Sequence, residues 1–134
     1  MTFPQPTRIL LVDGDPAVRA ALAFSMEIEG FGVDAYDSPA ALAGRAGFPA
    51  GGCLVLDHRQ PGIDGLALLA QLRGRGVDLP AVLITTNPRR DLRRRAAAAG
   101  VAIVEKPLLG DALIDAVRQA RPAPRAALRT GAAA

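Results

Sequence analysis

The stretch that decides the fold is Cys53-Leu54-Val55-Leu56-Asp57, in which a short apolar run ends in a single carboxylate. The loop His58-Arg59-Gln60-Pro61-Gly62-Ile63-Asp64-Gly65 follows it and leads into a helical pattern. An apolar run of this length, bounded by turn residues, is typical of a buried strand. Because open α/β sheets place their chemistry at the carboxyl ends of strands, we expect Asp57 to be the functional centre of the chain.

Four further strand-like runs accompany this one, at Arg8–Asp13, Gly32–Tyr36, Pro80–Thr85 and Val101–Glu105. Helical patterns separate the runs, and three of them begin with a capping residue followed by proline, at Asp15-Pro16, Ser38-Pro39 and Asn87-Pro88. The other two carry apolar stripes at Leu66, Leu69 and Leu72 and at Leu113, Ile114 and Val117. Strands that alternate with helices need right-handed parallel crossovers, so the pattern predicts an α/β three-layer sandwich.

The composition is that of one globular domain. The chain has 134 residues, half of them hydrophobic, with no tryptophan and one cysteine. Cys53 cannot form an internal disulfide and lies in an apolar run, so we interpret it as a small buried hydrophobe. Pro4 and Pro6 interrupt the amino terminus, which therefore does not resemble a signal peptide, and the longest apolar runs are of strand length. These features predict a cytoplasmic protein.

Charge is distributed unevenly along the chain. Residues 1–80 carry six arginines and nine acidic residues, whereas residues 81–134 carry ten cations and four acidic residues. Five arginines lie in the fourth helical pattern, at Arg89, Arg90, Arg93, Arg94 and Arg95. They form either a docking face for an acidic partner or dimer mate, or a solvated charged face. Because no aromatic residues are interleaved with them, we do not expect direct binding to nucleic acid.

Polar side chains stand at the carboxyl ends of the central strands. Asp13, with Asp15 close by, follows the first strand, Asp57 ends the third, Thr85 ends the fourth and Lys106 follows the fifth. In a parallel sheet these ends share one edge, and neighbouring carboxylates repel unless a cation lies between them. Mg²⁺ prefers such oxygen ligands. A carboxylate beside Mg²⁺, a hydroxyl and an ammonium group suits phosphoryl transfer to the carboxylate.

The pattern resembles the receiver domain of two-component response regulators and is similar to the receiver modules of nitrogen-fixation regulators. The motifs are Ile9-Leu10-Leu11-Val12-Asp13-Gly14-Asp15-Pro16 with Arg19, Asp57 with Pro61 and Gly65, then Thr85, and Lys106-Pro107. The resemblance covers residues 8–120, leaving an amino-terminal extension at 1–7 and a flexible carboxyl-terminal tail at 121–134. It implies a flavodoxin-like fold with a five-stranded parallel sheet in the order 2-1-3-4-5.

The resemblance also implies a role for each residue. Asp57 accepts a phosphoryl group from a histidine kinase or phosphotransfer protein, while Asp13, Asp57 and the main-chain carbonyl of Arg59 hold Mg²⁺. Thr85 binds the phosphoryl group, and the Lys106 ammonium group pairs with it. The peptide bond between Lys106 and Pro107 is expected to be cis. The face made by the fourth helix, fifth strand and fifth helix then signals to an output protein or dimer mate. Such a domain is not an enzyme beyond self-catalysed phosphorylation and dephosphorylation.

Two residues depart from the pattern of that family. Gly14 replaces the second of two consecutive acids, usually a metal ligand, so Mg²⁺ should bind less well. Asp15 either substitutes for this acid or caps the first helix. Ile103 occupies the position of the switch aromatic. These departures raise an alternative, a degenerate receiver that acts as a phosphorylation-independent interaction or dimerisation module.

Three loop residues complete the predictions. Asp64 and Gly65 are expected to set the start of the third helix. His58, the only histidine, is interpreted as an exposed loop residue rather than a catalytic base. With one histidine and one cysteine the chain does not offer a zinc site.

Overall fold

A parallel five-stranded sheet in the order β2-β1-β3-β4-β5 forms the centre of the computed structural model, which describes residues 5–60, 62–106 and 111–122. The strands are β1 (Arg8–Val12), β2 (Gly32–Tyr36), β3 (Gly52–Asp57), β4 (Ala81–Thr85) and β5 (Ala102–Glu105). Each boundary lies within one residue of its predicted position. The implied sheet order is confirmed, and β2 and β5 form the two edges.

Five helices connect the strands: α1 (Pro16–Ile28), α2 (Pro39–Ala43), α3 (Gly65–Gly74), α4 (Arg90–Ala98) and α5 (Ala112–Gln119). All pairings within the sheet are parallel, so every connection crosses over a face of the sheet. Helices α2, α3 and α4 contribute buried side chains to one face, and α1 and α5 contribute to the other. The predicted α/β three-layer sandwich is confirmed.

Alternating residues of the central strands supply two apolar cores. Leu10, Val12, Leu54 and Leu56 belong to the core under α2, α3 and α4. Their neighbours Ile9, Leu11, Cys53 and Val55 belong to the core under α1 and α5. Each side chain of this size stabilises the fold by about 1.5–3 kcal/mol when fully buried. Because both faces are covered, β3 and β4 are apolar up to their last residue, and β1 is apolar from Ile9 to Val12.

Side-chain caps begin three of the helices. Asp15 accepts hydrogen bonds from the Ala17 and Val18 amides at 2.9 and 3.2 Å. Ser38 caps α2 in the same way, and Asp64 caps α3. Between the two predictions for Asp15, the structure therefore assigns it the helix cap, worth about 1 kcal/mol.

Helix α4 begins later than the sequence predicts. Asn87 and Pro88 were expected to cap and start it, but the helix starts at Arg90, with Arg89 at the N-cap position. Asn87 has a φ of +49°, in the left-handed region, whereas an N-cap residue needs an extended conformation. The prediction is wrong because Asn87 redirects the chain in a turn before the helix begins.

Several predicted features lie outside the described residues: Pro61 of the Asp57 loop, Pro107 with its cis bond, most of the extension at 1–7 and residues 123–134 of the tail. Within the described ranges, no helix is long and apolar enough to cross a lipid bilayer.

Gly65 should tolerate no side chain. A Cβ atom there would lie 3.0 Å from His58 Cα and 2.7 Å from a methyl group of Leu83. We expect Gly65→Ala to lower the free energy of unfolding by about 1–3 kcal/mol, measured by urea denaturation. Gly74→Ala is the matched control in the same helix, because no described atom lies within 4 Å of its Cβ position. Equal stability of the two variants would contradict the close approach at Gly65.

Cys53 should be inert in the folded protein. It is fully buried, and desolvation raises the pKa of its thiol to about 12. Because the thiolate is the reactive form, we expect alkylation at pH 8 to proceed only through unfolding and to become fast in urea. Ser25→Cys, at an exposed position of α1, supplies a control thiol in the same molecule. Comparable labelling rates for the two thiols in the native protein would contradict this placement.

Candidate functional site

An ammonium group bridges two carboxylates at the carboxyl edge of the sheet. Lys106 Nζ lies 3.2 Å from Asp57 Oδ2 and 3.4 Å from Asp13 Oδ2. Asp13 directly follows β1, Asp57 is the last residue of β3 and Lys106 directly follows β5. Parallel pairing aligns these strand ends, so three residues from distant parts of the chain meet at one point. We call this group of three residues the acidic rim.

Both carboxylates are removed from solvent. Asp13 is 0% exposed and Asp57 is 9% exposed. Their second oxygens also have partners, because Asp13 Oδ1 accepts from the Asp15 amide at 2.9 Å and Asp57 Oδ1 accepts from the Arg59 amide at 3.2 Å. A buried carboxylate is costly unless it is paired and hydrogen-bonded. The loops after β1 and β3 therefore supply hydrogen bonds to both buried acids.

The acids in turn keep Lys106 charged. Partial burial acts to lower the pKa of Lys106, but the hydrogen bond and charge of Asp57, together with Asp13, outweigh it and raise the pKa above its ordinary value. The rim thus combines two negative charges with one positive charge. It retains a net negative charge and an attraction for a further cation.

Thr85 reaches the same edge from β4. Its residue is 2% exposed, and its carbonyl oxygen accepts a hydrogen bond from the Lys106 amide at 2.9 Å. Thr85 also lines a cleft between the loops that follow β3 and β4, together with His58 and Arg59. The structure therefore brings Thr85 beside Lys106, at the edge where the acidic rim lies.

The donor set at the rim suits a hard cation such as Mg²⁺, because Asp13 and Asp57 both present carboxylate oxygens. Among the described residues, no three His, Cys, Asp or Glu side chains form a ready-made metal cluster. A third acidic side chain is lacking next to Asp13, because residue 14 is glycine. The Arg59 main-chain carbonyl remains a predicted ligand, and its amide contact with Asp57 places it in the adjoining loop.

Gln60 is a residue of the site that the sequence analysis does not single out. Its Nε2 atom donates to the carbonyl oxygen of Asp57 at 3.4 Å, and its Oε1 atom faces Gly14. The available signal was its position three residues after Asp57 in the same loop. No periodic pattern or charge marks it, so the contact with Gly14 becomes visible only in the folded chain.

His58 is not the exposed loop residue that the sequence predicts. Its side chain is only 14% exposed, and its Nε2 atom lies 3.9 Å from Asp64 Oδ2. Its Nδ1 atom is buried and has no hydrogen-bond partner within the described part of the chain. The prediction is wrong because the loop folds back, with the Gly65 amide donating to the His58 carbonyl at 3.0 Å.

Helix α4 exposes its arginines next to the site. Leu92 and Ala96 are buried against the sheet, whereas Ala97 and Ala98 are exposed. Arg93 forms an ion pair with Glu105 of the edge strand β5. Ile103, also on β5, packs half-buried against the core under α4. The face made by α4, β5 and α5 thus begins one residue away from Lys106.

Comparisons with known proteins all indicate the same family. Residues 9–118 match the sequence model of the response regulator receiver domain. The chain is 39% identical over 119 residues to the C4-dicarboxylate transport transcriptional regulatory protein DctD of Pseudomonas aeruginosa, covering 88% of this chain and 26% of DctD. It is also 39% identical over 118 residues to the transcriptional regulatory protein FixJ of Azorhizobium caulinodans, covering 87% of this chain and 56% of FixJ.

A solved structure agrees in fold. The crystal structure of FixJ-N superposes with a TM-score of 0.76 at 30% sequence identity, covering 85% of this chain and 92% of FixJ-N. The chain spans only about a quarter of DctD and just over half of FixJ, so the similarity concerns one domain of those proteins.

Replacement of Lys106 should expose the repulsion within the acidic rim. We expect Lys106→Met to lower the free energy of unfolding by about 1–3 kcal/mol, because two buried carboxylates lose their shared cation. Mg²⁺ should restore more stability to this variant than it adds to the wild type, as measured by urea denaturation with and without the metal. Arg93→Met, which breaks the exposed pair with Glu105, should cost less than about 1 kcal/mol and show no Mg²⁺ rescue. Wild-type stability of Lys106→Met would contradict the bridging role.

Proposed function

The chain belongs to the response regulator receiver domain family, and from this we propose that it accepts a phosphoryl group on Asp57 from a histidine kinase or phosphotransfer protein. The observation that carries the proposal is the 3.2 Å contact between the Lys106 ammonium and the Asp57 carboxylate. A carboxylate that lies beside a cation is suited to attack phosphorus and to become an acyl phosphate.

In the proposed transfer, an Asp57 oxygen forms a bond to phosphorus as the bond from phosphorus to the donor histidine nitrogen breaks. The nitrogen keeps the electron pair of that bond and takes up a proton. The main task of the site is then to stabilise the negative charge on the oxygens of the transferred phosphoryl group. Lys106 is placed to balance it, because its ammonium group already touches the acceptor carboxylate.

Mg²⁺, held by Asp13 and Asp57 with the main-chain carbonyl of Arg59, would supply further positive charge against the transferred oxygens. Asp13 keeps its orientation through the hydrogen bond from the Asp15 amide. Thr85 would donate its hydroxyl hydrogen to a phosphoryl oxygen. These roles are part of the proposal and rest on the shared edge of the sheet and on the residue types.

The proposed output runs through the face made by α4, β5 and α5. Thr85 is the last residue of β4, and its carbonyl oxygen accepts a hydrogen bond from the amide of Lys106, which directly follows β5. The ion pair between Arg93 and Glu105 connects β5 to α4. A change at the rim can therefore reach an output protein or a dimer mate that contacts this face. Because Ile103 has no ring to rotate, α4 would respond through the Thr85 loop instead. We place this signalling in the cytoplasm, without binding to membrane or direct contact with nucleic acid.

The degenerate alternative has less support. It was motivated by Gly14 and Ile103, but neither residue disturbs the contacts among Asp13, Asp57 and Lys106. A module that only docked other proteins would have no need for a buried acid paired with the one lysine of the chain. We therefore favour the phosphoacceptor.

Incubation with a small-molecule phosphodonor and Mg²⁺ should add the mass of one phosphoryl group to the intact protein. Asp57→Asn should abolish the gain, because an amide is not a nucleophile of this kind. Asp15→Asn is the matched control, since asparagine also caps helices and Asp15 is not assigned to the metal site. A gain that persists in Asp57→Asn, or no gain at any Mg²⁺ concentration, would overturn the proposal.

A further inference from the structure

Position 14 leaves a gap in the donor set of the acidic rim. Asp13 and Asp57 supply carboxylate oxygens, while Gly14 supplies only backbone. Mg²⁺ strongly prefers six oxygen ligands and keeps waters wherever the protein offers none. The chemical question is whether another side chain of this chain provides the oxygen that Gly14 does not.

The space in front of Gly14 is bordered by oxygen atoms. Among the described atoms, the nearest to a Cβ built on Gly14 are Gln60 Oε1 at 3.7 Å and the carbonyl oxygen of Asp37 at 3.8 Å. Both are ordinary van der Waals distances, so the gap is open rather than filled by an apolar group. A side chain at position 14 would therefore point towards the amide oxygen of Gln60.

The amide of Gln60 is also held in a defined orientation. Its Nε2 atom donates to the carbonyl oxygen of Asp57 at 3.4 Å. Only the nitrogen end of the amide can donate, so this hydrogen bond leaves Oε1 as the end that faces Gly14. Gln60 is half-buried, which further restricts its movement. The Nε2 end of the Gln60 amide is thus hydrogen-bonded to Asp57, and its Oε1 end borders the space in front of Gly14.

Asp15 is not placed to do the same. Its carboxylate accepts from the Ala17 and Val18 amides and caps α1 on the exposed surface. The other neighbour, the carbonyl oxygen of Asp37, belongs to the main chain and not to a side chain. Gln60 is the side chain that the contacts at Gly14 single out.

We propose that Gln60 is a metal-binding residue of this domain, whose side-chain oxygen enters the Mg²⁺ coordination sphere in place of the acid absent at position 14. The inference rests on the proposed function, because it concerns the same metal site. An amide oxygen is a hard ligand without charge. The site therefore gains a ligand while its protein charge stays one unit less negative than with a third carboxylate.

The test is calorimetric titration of the unphosphorylated protein with Mg²⁺ alone. Gln60→Met removes the oxygen at nearly constant length and should weaken Mg²⁺ binding about tenfold. Gln60→Glu places a carboxylate in the same position and should tighten binding relative to wild type. Both variants lose the hydrogen bond to the Asp57 carbonyl, so opposite effects on affinity separate metal binding from a merely structural role.

Two controls sharpen the result. Gln71→Met makes the same chemical change on an exposed position of α3 and should leave Mg²⁺ affinity unchanged. In a Gly14→Asp background, Gln60→Met should have a smaller effect than in wild type, because the introduced acid then supplies the oxygen. Urea denaturation of each variant verifies that it is folded.

Each outcome decides the matter. Unchanged Mg²⁺ affinity in Gln60→Met, an equal loss of affinity in the Gly14→Asp background, weaker binding in Gln60→Glu, or no Mg²⁺ binding by the wild type would overturn the role of Gln60. The titration needs no phosphodonor, so its result is independent of phosphorylation. A wild-type protein that is phosphorylated on Asp57 but binds Mg²⁺ without help from Gln60 would refute this inference alone.

Discussion

The ion pair of one lysine with two acids is the interaction on which the rest of the site depends. Lys106 lies 93 residues from Asp13 and 49 residues from Asp57 along the chain, yet its ammonium touches both carboxylates. Burying two carboxylates this deeply is costly unless a counter-charge lies beside them. Their shared cation therefore couples the ends of β1, β3 and β5, so a change of charge at Asp57 acts on both Lys106 and Asp13.

The contacts among Asp13, Asp57 and Lys106 are present although position 14 is glycine and position 103 is isoleucine. Without a third acid the repulsion between carboxylates is smaller, and Lys106 alone leaves the rim with one net negative charge. A main-chain hydrogen bond from Lys106 to Thr85 connects the acidic rim to β4. The ion pair of Arg93 with Glu105 connects β5 to α4. Hydrogen bonds and ion pairs thus connect the rim to α4, and neither of these contacts involves Ile103.

Agreement between sequence and structure is best where the determining forces are local. All five strands begin and end within one residue of their predicted positions. The clearest cases are β3 and β4, which are buried on both faces and are therefore apolar up to their last residue. The caps at Asp15 and Ser38 follow from a hydrogen bond to an amide two or three residues away. The two errors, at Asn87 and His58, concern loops, where a left-handed residue and a backbone bond to Gly65 redirect the chain.

The sequence by itself determined the alternation of strands and helices, the α/β class and which polar residues stand at the strand ends, because these depend on periodicity and on neighbouring residues. The resemblance to receivers added the order of the strands. Only the tertiary structure decided that the Lys106 amine reaches both acids, that the His58 side chain is mostly shielded from solvent and that Gln60 borders the space in front of Gly14. Contacts of this kind join residues far apart in the chain, and their distances are set by how the crossover helices pack against the sheet.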